Sequence, residues 1–199
     1  MSESISEAKS APTDRSTLGP FDESEVSGVR PYVDLGSLKL IPREGLNLRL
    51  EVEEGTGRVI AVALDFQGST LQVQVFASTR SCGLWHEVRH QLSEQIAAQG
   101  GSVTEGLTEI GPDLLTRVPA MVEGKQVFQD VCFIGVDGPR WFLRGVIAGP
   151  AAVETDKRAT MIELFRDIVV VRGQQPVPPR ELLPLRVPEQ ASGATPTGA

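Results

Sequence analysis

Residues 126–149 read QVFQDVCFIGVDGPRWFLRGVIAG, and they decide the fold. Two arms rich in β-branched and aromatic residues flank Asp137-Gly138-Pro139, the signature of a β-hairpin. With Gly138-Pro139 as a two-residue loop, counting outward pairs Asp137 with Arg140, Val136 with Trp141, Ile134 with Leu143 and Cys132 with Gly145. The other face then pairs Gly135 with Phe142, Phe133 with Arg144 and Val131 with Val146. Both faces are largely apolar, which places these strands in the middle of a sheet covered on both sides.

Outward from the hairpin the chain alternates strand and helix patterns. On its N-terminal side, a short strand in YVDLGSLKLIP ends at Pro42, and Leu46, Leu48, Leu50 and Val52 alternate with polar residues as in a strand with one wet face. RVIAVALDF and the alternating Leu71, Val73 and Val75 follow after short Gly-containing turns, so these strands form an antiparallel meander. From about Gly83 to Gln99 the period becomes helical, with Trp85, Val88, Leu92 and Ile96 on one stripe and Gly100-Gly101 as the stop. Weaker strand signals cover Ser102 to Glu105 and Leu114 to Val122. Beyond Gly149-Pro150, a second amphipathic helix carries Met161, Ile162, Leu164, Phe165, Ile168 and Val169, and Val170-Val171 forms a final edge strand. The fold class is therefore α+β, an antiparallel sheet of about seven to eight strands packed by two amphipathic helices, with an element order similar to a Mog1/PsbP-like sandwich.

A chain of 199 residues with 40% hydrophobic content can bury one good core. Residues 1–28, rich in Ser, Thr, Glu and Asp, are expected to be a disordered acidic tail; residues 29–173 form a single α+β domain, and residues 174–199 a Pro-rich arm that packs on the domain through Leu182, Leu183 and Leu185 before a loose end after about Pro188. A net charge of −7 speaks against nucleic acid and acidic membranes as partners. Neither a signal peptide nor a membrane span is visible, so the expected location is cytoplasmic. Cys82 and Cys132 do not have metal or redox spacing, and Cys132 reads as a small core residue.

Two constellations are candidates for chemistry. His86-Glu87-Val88-Arg89-His90 fits H-E-x-x-H, in which two His one helical turn apart share zinc and the Glu activates its water. Both His fall outside the apolar stripe, however, and the chain has no third histidine to complete the site. Arg140, Phe142 and Arg144 recur on one strand face and could hold an anion; the competing reading pairs Arg140 with Asp137 across the turn and lays the Arg144 stem over Phe133. The sequence contains no G-x-S-x-G, P-loop or dinucleotide fingerprint.

Three stretches carry a family likeness: Gly83-Leu84-Trp85-His86-Glu87-Val88-Arg89, Val136 to Gly145, and Pro178-Pro179-Arg180-Glu181-Leu182-Leu183-Pro184-Leu185. Through them, together with Gly19 to Asp22 and Asp34 to Leu38, the chain resembles a widespread actinobacterial family known as a domain of unknown function. The resemblance implies no activity, cofactor or catalytic residue, and the position of His86 more typically carries an acidic residue in that family. The expected function is a non-catalytic protein-binding or accessory module without a cofactor. Its alternatives are a small-ligand binder using a pocket beside the central hairpin and a zinc hydrolase using His86, Glu87 and His90.

Overall fold

The computed structural model describes residues 7–189. In chain order the elements are α1 (Arg15–Leu18), β1 (Phe21–Asp22), β2 (Val33–Asp34), β3 (Leu38–Leu40), β4 (Asn47–Val52), β5 (Val59–Phe66), β6 (Ser69–Ala77), α2 (Trp85–Ala98), β7 (Ser102–Thr108), β8 (Gly111–Val122), β9 (Lys125–Asp137), β10 (Trp141–Ala148), α3 (Thr155–Arg166) and β11 (Val169–Val170). A seven-stranded antiparallel sheet runs β4-β5-β6-β10-β9-β8-β7, and a four-stranded mixed sheet runs β1-β11-β3-β2. The fold is α+β. The β9–β10 hairpin occupies the middle of the large sheet, with β10 fourth of seven strands, as its two apolar faces require.

The hairpin register differs from the expected one by two residues. Leu143 faces Val136, Gly145 faces Ile134 and Ile147 faces Cys132. Pro139 cannot adopt the positive φ that a type I′ turn needs at both central positions, so the turn widens to Gly138–Trp141, closed by Gly138 N–H donating to the Trp141 carbonyl at 2.8 Å. A shift of two keeps every side chain on its expected face. The Trp141 ring folds back over Gly138, where a Cβ would come within 2.1 Å of it.

Each face of the large sheet is covered differently. Val73, Val75, Ile134 and Leu143 point toward α3 and the small sheet, and they share one core with Met161, Phe165, Leu35 and Leu38. On the opposite face a smaller cluster joins Leu84, Trp85 and Phe142 with the half-buried Phe76, Val88 and Leu92. The core-facing positions of β6 alternate strictly with half-exposed ones such as Gln72 and Gln74, the period-two pattern read from sequence.

Several expectations are corrected. Residues 7–28 do not form a disordered tail: Ser10 is buried, its N–H donates to the Asp137 carboxylate at 2.9 Å, and its carbonyl accepts from Asp137 N–H at 2.8 Å. Phe21-Asp22 adds a parallel strand to β11. Sparse apolar content concealed this because the segment is held chiefly by hydrogen bonds; residues 1–6 lie outside the described residues. YVDLGSLKLIP forms two strands, β2 and β3, paired antiparallel about a turn at Gly36, whose φ is +87°. The last strand is Val169–Val170 and lies inside its sheet, between β1 and β3. Apart from these corrections, the Pro-rich arm lies against the domain: Ala77 N–H donates to the Glu181 carbonyl, Leu183 N–H donates to the Val75 carbonyl, and the Leu183 side chain is buried in the main core. Its expected loose end beyond residue 189 lies outside the described residues.

Candidate binding groove

The N-terminus of α2 has no side-chain cap of its own. The hairpin supplies one, because the buried Asp137 carboxylate accepts from Leu84 N–H at 2.8 Å and Trp85 N–H at 3.4 Å as well as from Ser10. Free amides at a helix start stabilise a carboxylate, so one side chain ties together the hairpin turn, the helix and the N-terminal segment. Asp137 therefore does not pair with Arg140, contrary to the expected cross-turn ion pair. Close approach of α2 also depends on Gly135, where a Cβ would lie 2.5 Å from the Trp85 ring. Trp85 stacks on Phe142 with centroids 5.9 Å apart, Phe142 stacks on Phe76 at 5.8 Å, and the Trp85 indole N–H donates to the Pro112 carbonyl at 2.8 Å.

Helix α2 does not close completely over this aromatic row. A groove of about 240 Å³ remains, floored by Phe76 and Phe142 and walled by Leu84, Val88 and Leu92. Arg144 lies at its inner end. Its guanidinium sits 5.6 Å from the Phe76 centroid, donates to the Gln74 side-chain oxygen, and has a buried Nε with no partner. No carboxylate among the described residues pairs with it, and burial pushes its pKa below the ordinary arginine value. The expected contact with Phe133 is replaced by Phe76, since the register shift sets Arg144 opposite Gly135. At the mouth, Arg180 takes a left-handed φ of +74° and its guanidinium holds Glu87 at 2.6 Å, latching the C-terminal arm to α2.

The structure divides both sequence-derived constellations. Phe142 and Arg144 meet in the groove, whereas Arg140 lines a separate cavity on the other side of the turn. In the H-E-x-x-H stretch, His86 Nδ1 lies 2.9 Å from the Arg89 guanidinium, His90 is exposed beside Glu94 at 3.6 Å, and Glu87 is engaged by Arg180. These three side chains serve three different partners, and no group of three His, Cys, Asp or Glu among the described residues is placed to hold a metal. Both cysteines are unpaired; Cys132 is buried against Asp113, and burial pushes its thiol up to about 12, leaving it protonated and unreactive.

Gln74, Arg180 and Asp137 are groove or anchoring residues that sequence reasoning missed. Gln74 looked like the wet side of a strand, and Arg180 lay in a segment without periodicity. Asp137 looked like an ordinary turn residue, because nothing local reveals that a helix start fifty residues earlier will meet it.

Geometry thus defines an α+β protein with an open, largely apolar groove between α2 and its large sheet. The chain belongs to the family described as a protein of unknown function, DUF3710, whose family model matches residues 19–194. A search of curated proteins finds no match.

Proposed function

We propose that the protein is a non-catalytic binding domain whose groove takes a small amphipathic carboxylate, with the apolar part on Phe76, Phe142, Val88 and Leu92 and the carboxylate on Arg144. The observation that carries this reading is the half-buried Arg144 guanidinium lining the apolar groove, with its Nε–H unpartnered and no acidic partner among the described residues. A partly desolvated charge without a counter-ion is costly, and a guanidinium cannot lose its proton as a lysine can. A carboxylate ligand relieves that cost through a charge-assisted pair. Apolar walls with a few convergent polar groups are the usual composition of small-molecule sites. The three stretches that carry the family likeness, far apart in sequence, supply Leu84, Glu87 and Val88, then Phe142 and Arg144, then Arg180. We include a cytoplasmic location, supported by two unpaired cysteines; no helix among the described residues is long and apolar enough to cross a membrane.

Calorimetric titration with straight-chain carboxylates and the matching alcohols tests the reading. Carboxylates should bind one per chain, alcohols far more weakly, and Arg144→Met should abolish the difference. Equal binding of acid and alcohol, or none of either, contradicts it.

One observation favours a protein partner as a second reading. Beyond Arg117 and Val131 the β8–β9 ribbon leaves its neighbours, and both of its edges are unpaired. It carries Met121 at 70% exposure and Phe128 at 49%. Exposed apolar residues on open strand edges are a docking feature. Crosslinking of the full chain in native lysate, compared with Phe128→Lys, checks it: a partner lost only in the variant supports ribbon docking, and an unchanged pattern removes it.

A further inference from the structure

The cavity on the other side of the hairpin turn, about 610 Å³, is lined by five cationic side chains and two carboxylates. Its acidic residues are already committed. Asp137 caps α2, and Asp22 accepts from the Trp141 indole at 2.8 Å and from Ser24 N–H at 3.1 Å. Two of the cations are committed as well: Lys9 donates to the carbonyls of Thr79, Gly138 and Pro139, and Arg15 pairs with Glu25. Three arginines remain. The side chains of Arg80 and Arg140 have no hydrogen-bond or ion-pair partner among the described residues, although the Arg140 carbonyl accepts from Ser78 N–H at 3.0 Å. Arg172 is held by two carbonyls, from Gln175 at 3.1 Å and Val177 at 3.4 Å, while its Nε is buried and unpartnered. Burial and the neighbouring Arg140 charge both disfavour the charged form of Arg172.

A chain with 26 acidic residues and a net charge of −7 has ample carboxylates to neutralise such a cluster, yet none among the described residues pairs with these three guanidiniums. Clustered like charges repel, and a bound anion relieves the repulsion. Guanidinium forks match phosphate oxygens in pairs, and several converging forks suit a group with more than one negative charge. Apart from Ala11, Ser24, Gly138 and Pro139 its lining residues are all charged, whereas five large apolar side chains line the groove beside α2. The rest of the acidic surface repels a long polyanion, so the ligand must be compact.

We propose that Arg80, Arg140 and Arg172 form a binding site for a small phosphate-bearing molecule. This site is independent of the groove and uses a different face of the hairpin turn. The test is calorimetry on the full chain at fixed ionic strength with pyrophosphate and inorganic phosphate, and with sulfate as the control. Pyrophosphate should bind saturably at one per chain and more tightly than sulfate. Arg140→Gln and Arg80→Gln should each weaken it about tenfold, a change of about 1.4 kcal/mol. Both positions are at the surface, so these variants should unfold at the wild-type temperature, and Arg144→Met should bind pyrophosphate normally. The proposal is overturned by absence of saturable binding, by undiminished binding in both variants, or by tighter binding of a single-stranded oligonucleotide than of pyrophosphate.

Discussion

The two faces of the seven-stranded sheet are built from the same strands but finished differently. Toward α3 and the small sheet, Leu143, Val75 and Phe165 are fully buried, and the C-terminal arm adds Leu183 to the same core. Toward α2, Phe76 is only half-buried, a groove stays open, and a charged Arg144 stands where the strand alternation would accept another aliphatic residue. A face shaped only by stability would resemble the first. The proposed function accounts for the contrast, since sites of function are where proteins depart from optimal packing.

Paired substitutions sharpen this contrast most. Phe165→Ala should cost about 4 kcal/mol, the usual loss for a fully enclosed aromatic, while Phe76→Ala should cost about 2 kcal/mol because its ring is only partly enclosed. Urea unfolding of the two variants measures both, and equal losses would show that the α2 face is as closed as the other.

Asp137→Ala should follow in size. It strands the amides of Ser10, Leu84 and Trp85 together, at about 3 kcal/mol. Hydrogen exchange should show faster opening of the first turn of α2 and of residues 7–12, with the α3 side nearly unchanged. Slow exchange at Leu84 and Trp85 in the variant would mean that another group caps the helix.

The closed face has an isolated charge of its own, and it provides a smaller test. Asp113 Oδ1 is buried without a partner, Oδ2 accepts only from the Cys132 thiol at 3.5 Å, and burial raises its pKa above 3.8. Unlike Arg144, it can shed its charge. Below pH 3.8 the carboxyl is protonated in both folded and unfolded chains and costs nothing. As pH rises, the unfolded chain ionises first, and stability falls until the folded value is passed. Asp113→Asn should therefore be more stable than wild type at pH 7, with the gap closing below pH 3.8. A gap independent of pH would show that Asp113 acts through packing alone.

Much of this architecture is legible in the sequence, because periodicity reports burial. The alternation of Leu71, Val73 and Val75, the helical stripe of Trp85, Val88, Leu92 and Ile96, and the doubly apolar arms about Asp137 all lie where their patterns require. What escapes is whatever depends on distant partners. Ser10 is polar and becomes buried only because Asp137 meets it. Leu183 is apolar enough to be expected against the domain, but its seat beside β6 is set by its N–H donating to the Val75 carbonyl. Arg144 was legible as an anion candidate from its place beside Phe142. Its separation from Arg140 was not, since that follows from a turn in which Pro139 rules out the tightest geometry.

The central claim is that Arg144 serves a ligand at the expense of the fold, and the most direct measurement is the unfolding free energy of ligand-free Arg144→Met. Methionine fills similar space without charge, so the variant should be at least as stable as wild type and should no longer be stabilised by an aliphatic carboxylate. A clear loss of stability with carboxylate stabilisation intact would contradict the claim and make Arg144 a structural residue.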